Sequence, residues 1–223
     1  MSMICSVLGV TSAQIHALRA KPALVSKLAL VAGIDLLRGH LDDLTQRMTA
    51  EQRAQFEASQ AQFAASPGAK EAEASVADAR AALVPLGPIE KSISLEKSWH
   101  MLHYLFTGHV GTGHAPGDLL LSGKELGEDA GYGPARLHDE RKTSEFGRFL
   151  EGQDLARLRA HTDFDAMDRA GVVYGASRGR GSEAEYQLLC QALHEEIAIY
   201  FQLLRDYVRA MADKGNGLLV WIS

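Results

Sequence analysis

The stretch Ser98-Trp99-His100-Met101-Leu102-His103-Tyr104-Leu105-Phe106-Thr107-Gly108-His109 concentrates side chains that could do chemistry. On a helix, His100 and His103 are three apart and His100 and Tyr104 four apart, so they project near one another, with Thr107 a turn beyond His103. Imidazole titrates near neutral pH and can act as acid, base or ligand. Buried His and Tyr side chains normally tie a helix to neighbouring loops through hydrogen bonds, and that bland role is the leading expectation here. Polar groups beside the aromatic wall of Trp99 also suit a small-ligand pocket, the sharper alternative. His109 and His114 extend the run to four histidines, and Glu96 precedes His100 by four. That spacing fits no usual zinc pattern, so no metal is expected. No cofactor is expected either.

A second candidate is Gly131-Tyr132-Gly133-Pro134-Ala135-Arg136. Its glycines permit close backbone approach, and Arg136 could grip an anion with two donors. It lacks a Gly-Lys-Ser/Thr and does not open a helix, so it is not a phosphate loop. A structural turn with Arg136 paired to an acid is the favoured reading. No nucleophile elbow is present. Cys190 precedes His194 by four, but a core cysteine is the better reading than a catalytic pair.

These side chains need elements to hold them. Met3 to Val10 suits a strand buried on both faces. Thr11 and Gln14 form a capping-box pattern before a helix from Ser12 to about Lys21. A helix with Leu24, Leu28 and Val31 follows, with Gly33 as a stop, then a short one from Leu36 to Leu44. Residues 49–84 turn rich in Ala, Gln and Glu and are broken by Ser66-Pro67-Gly68, predicting a helical hairpin that could serve as an interaction arm for homo-oligomerisation. Ser94 is the expected cap of the Trp99 helix, whose apolar stripe is Leu95, Trp99, Leu102 and Phe106. Pro134 to His138 reads as extended, Asp139 caps a helix to about Glu151, and a short helix spans Asp154 to Ala160. Ser182 to Lys214 is the long helix of the body, with Leu193, Ile197, Tyr200, Leu204, Val208 and Met211 on one face. Leu218 to Ile222 is then a central strand.

The expected fold is α+β: a small mixed sheet that includes both terminal strands, covered by helices, in one domain over residues 1–223 with the Ala-rich hairpin within it. The 223 residues carry a net charge of −5 and 46% apolar residues, enough for a core without disulfides. That charge and the lack of a Lys/Arg cluster exclude broad nucleic-acid binding. No apolar run approaches the roughly 20 residues of a membrane span. Cys5 and Cys190 are expected as buried free thiols in the cytoplasm.

Met3-Ile4, the pattern Lys97-Ser98-Trp99-His100 with Leu102-His103, the Gly131 to Arg136 loop and the closing Leu218 to Ser223 resemble the YfbM-like bacterial family, a domain of unknown function. The resemblance spans essentially the whole chain and is loosest in the hairpin. It implies an α+β fold with a small mixed sheet and no particular reaction. The chain departs from the family at Tyr174-Gly175, where members often carry Tyr-Pro with a nearby Trp.

The expected function is binding of a small ligand or protein partner in a cleft lined by Trp99, His100, His103, Tyr104, Thr107, Tyr132, Arg136 and Tyr174. The alternative is a hydrolase or transferase with His100 or His103 as general base and Arg136 as anion stabiliser.

Overall fold

The computed structural model describes residues 3–172 and 182–223. A five-stranded sheet lies at the centre in the order β2-β1-β5-β4-β3. Its strands are β1 (Cys5–Val10), β2 (Ile93–Ser94), β3 (Lys124–Asp129), β4 (Pro134–His138) and β5 (Gly217–Ile222). The helices are α1 (Ser12–Ala20), α2 (Leu24–Arg47), α3 (Ala50–Ala64), α4 (Pro67–Leu83), α5 (Ser98–Thr107), α6 (Glu140–Glu151), α7 (Leu155–Ala160), α8 (Phe164–Arg169) and α9 (Glu183–Asp213). The fold is α+β, with both terminal strands paired in the middle of the sheet.

Alternation along β1 and β5 separates two cores. Cys5 and Val7 with Leu218, Val220 and Ile222 face α5, α6 and α9. Leu8 and Val10 with Leu219 and Trp221 face α1, α2 and α4. Burial on both faces explains why these strands are continuous apolar runs. Every pairing is antiparallel, which corrects the expected mixed sheet. Two-sided burial is usual for parallel strands, but here helices cover both faces of an antiparallel sheet, and an apolar run carries no direction.

Local signals place several ends. Thr11 accepts the Gln14 N–H while Gln14 accepts the Thr11 N–H, closing the expected capping box. Gly108 ends α5 in the left-handed region, φ 74°. Asp139 accepts the Lys142 N–H at the start of α6.

Three expectations fail. α2 runs on through Gly33 and Gly39 to Arg47 as one helix, because a mid-helix glycine costs only about 1 kcal/mol and Val31 and Ala32 are anchored in the core. Ser94 ends β2 instead of capping α5; its hydroxyl takes the N–H of Glu96, whose φ is +47°. β3 was not expected at all: Lys-Glu-Leu-Gly-Glu-Asp buries only Leu126, as befits an edge strand blunted by charge.

The hairpin is unequal. The far end of α4 joins the core through Ala79 and Leu83 against α2, and Arg80 pairs with Asp35 at 2.5 Å. α3 has no buried residue, and Phe63 is 69% exposed.

Candidate functional site

Trp99 plugs into the core beside α9, its indole N–H donating to the Met3 carbonyl at 3.2 Å. The His100 ring stacks on it, with centroids 4.7 Å apart. His100 is half-buried, and its Nε2 lies 3.3 Å from the Val110 carbonyl. His103 is 0% exposed, and its Nε2 donates to the Gly111 carbonyl at 2.6 Å. The Thr107 hydroxyl reaches the carbonyls of His103 and His109 and accepts the His109 N–H. Together these bonds staple the loop 108–111 onto the end of α5. Burial holds both imidazoles below their ordinary pKa, which keeps them neutral.

His103 is therefore sealed, with Nε2 committed to a carbonyl and Nδ1 buried without a partner among the described residues. Tyr104 is half-buried against the same core. His109 and His114 meet edge to face at 6.2 Å on the loop. Among the described residues, no three His, Cys, Asp or Glu side chains converge as metal ligands would.

Tyr132 sits at the end of β5, its N–H donating to the Ile222 carbonyl at 3.3 Å. The Asp129 carboxylate accepts the N–H groups of Gly131 and Gly133 at 2.7 and 2.8 Å, so this loop's donors are already satisfied. Arg136 lies on β4 opposite Glu125 and Val220, half-buried, and its Nη1 is buried without a partner among the described residues. The expected ion pair of Arg136 is absent among the described residues. No hydrogen bond among those residues joins Arg136 to His100 or His103. Tyr174 lies outside the described residues.

A further imidazole escaped the sequence reading. His138, on the same face of β4 as Arg136, is 1% exposed, with the backbone of Leu119 and Ser122 beside its ring. Burial, with Lys142 nearby, lowers its pKa to about 4. Gly123 packs flat on the ring, where a Cβ would come within 2.6 Å of it.

Cavities open elsewhere. One, of about 620 Å³, is lined by Arg159 and by Gln187, Cys190 and His194 of α9. Cys190 is half-buried there, less enclosed than expected, while Cys5 is fully buried; both thiols are free.

Another, of about 550 Å³, lies where the arm leaves the body. Val31, Ala32, Asp35 and Leu36 of α2 form one wall, and Arg80, Leu83 and Val84 a second. The third is the segment 87–92. Neighbours pin that third wall almost residue by residue. The Gln14 amide donates to the carbonyls of Leu86 and Pro88 at 3.1 and 2.8 Å. Lys214 pairs with Glu90 at 2.7 Å. The Tyr207 hydroxyl donates to the Lys91 carbonyl and accepts the Gly9 N–H. Ser92 donates to the Ala32 carbonyl. The visible signal for this wall was Gly87-Pro88 after a helical run, which marks a turn but no cavity.

Comparison with known proteins agrees with this architecture. No curated protein matches the chain significantly. Among solved structures, a protein of unknown function, YfbM from Escherichia coli, has 17% identity and a TM-score of 0.54, covering 99% of this chain and 100% of that one. At that identity the likeness concerns the fold. A family model described as a domain of unknown function, DUF1877, matches residues 1–221, and the chain belongs to that family.

Proposed function

We propose that this protein is a small-ligand-binding domain whose site is the cleft between α2, α4 and the segment 87–92. One observation carries the reading: the cleft has an apolar floor of Val31, Ala32, Leu83 and Ile89, and its loop wall is already locked by side chains from α1 and α9. A volume of about 550 Å³ is in the range of small-molecule sites. A pre-formed wall spares the ligand the cost of ordering it. Methyl-resolved NMR during a titration of small apolar fragments tests the site. Shifts at Val31, Leu83 and Ile89 support it; fragments that bind and leave those methyls unmoved reject it.

The Nη1 of Arg136, buried and without a partner among the described residues, favours a second reading, an anion held on the sheet face at β4. Sulfate or phosphate would then stabilise the wild type and leave Arg136→Met unaffected in a thermal shift. Equal response of the two proteins rejects it.

A further inference from the structure

The chemistry around the cleft mouth narrows what it would take. Four charged side chains line it, and two are matched by pairing with each other: Asp35 with Arg80. A third, Glu90, is matched by Lys214 from the end of α9. Lys91 remains. Among the described residues no carboxylate pairs with its ammonium, which extends to the α2 surface at Gly39, where an added Cβ would lie 4.0 Å from Nζ. Two neutral polar groups of the wall are occupied, since the Lys91 carbonyl accepts the Tyr207 hydroxyl and the Ser92 hydroxyl donates to the Ala32 carbonyl. The cleft thus offers an incoming molecule an apolar floor and, at its edge, the Lys91 ammonium, which has no acidic partner among the described residues.

We infer that the cleft takes an amphipathic monoanion, a hydrocarbon or aromatic body ending in a carboxylate, with the body on Val31, Leu83 and Ile89 and the carboxylate on Lys91. This rests on the binding role proposed above and adds the charge of the ligand. An ammonium is a compact point charge, so it can meet one oxygen of a terminal carboxylate without the fixed geometry that a guanidinium fork demands. Lys91 is exposed, so the gain over a neutral ligand is modest, roughly three- to tenfold in affinity.

The test compares octanoate, octan-1-ol and octylamine, each below its aggregation threshold, on the full chain by calorimetry and methyl NMR. Octanoate is expected to bind most tightly and octylamine least, all moving the Val31 and Leu83 methyls. Lys91→Gln should bring octanoate down to the level of octanol and leave octanol unchanged. Val84 is 74% exposed on the cleft rim, so Val84→Glu should fold normally and weaken octanoate selectively. If octanol and octanoate bind the wild type equally, the anionic class is overturned while the cleft stands as a site. If none of the three moves those methyls, the binding reading itself falls.

Discussion

Gln14→Glu exchanges one NH2 group for an oxygen at a position only 4% exposed, and it tests whether the cleft wall is locked as described. The wild-type amide donates to Leu86 O at 3.1 Å and Pro88 O at 2.8 Å, while its Oε1 accepts the Thr11 N–H at 2.9 Å. Glutamate keeps the capping box, for which it is a natural partner. It loses both donations and faces two carbonyl oxygens with a poorly solvated carboxylate. Each lost bond is worth about 1 kcal/mol, and the buried unpaired charge adds to this, for a total of about 2–4 kcal/mol at neutral pH. For a chain of this length that is a fall in melting temperature of roughly 5–12 °C. The site must raise the new carboxyl above its unfolded value of about 4.3. A carboxyl raised in the folded state penalises stability at high pH, and the penalty fades as pH falls through the raised value, when the acid O–H can donate to one carbonyl. Urea unfolding at pH 7.5 and 4.5, wild type against variant, should show a deficit that shrinks on acidification. A variant within about 0.5 kcal/mol of wild type at pH 7.5, the usual range of an inert surface change, would refute the pinned wall.

Other perturbations give separate readings. His103→Ala removes a fully buried ring and its bond to Gly111, and should cost about 2–4 kcal/mol in urea unfolding, clearly more than His100→Ala at its half-buried position; equal costs would contradict the staple. His138 has a folded pKa near 4 against an ordinary 6.5, so its contribution is whole above pH 6.5 and lost as pH falls toward 4. His138→Gln should therefore flatten the stability loss over that window by about 3 kcal/mol, and superimposable pH curves would exclude it. Gly217→Ala would place a Cβ 2.3 Å from the His138 carbonyl and 2.6 Å from Ile15, so it should cost about 3 kcal/mol or abolish soluble expression; a normal melting temperature would show that β5 can shift.

What could be read from residue order was what depends on near neighbours. The Thr11–Gln14 box, the α9 stripe and the two-sided burial of β5 all follow from spacings of one to four residues, and the structure has each of them. Tyr200 and Phe201 show the limit of that reading: adjacent on α9, they differ in that Phe201 is fully buried and Tyr200 only half. The chemistry of the histidines was less legible because their partners are backbone carbonyls. Val110 and Gly111 advertise nothing by side chain, yet they hold His100 and His103. The edge strand β3 was hidden by its charges, and its one buried residue, Leu126, makes no pattern. The cleft was beyond reach for a different reason: its floor and walls come from α2, α4 and the segment 87–92, and its locks from α1 and α9.

The place of β5 in the sheet has a consequence for synthesis. Among the described strands it is made last, yet it sits between β1 and β4 and joins the β2–β1 pair to the β4–β3 pair. While the ribosome is still short of residue 217, each pair carries an open, apolar edge on a nascent chain, and no helix can dock on a completed sheet. Partial chains would recruit chaperones and aggregate without them.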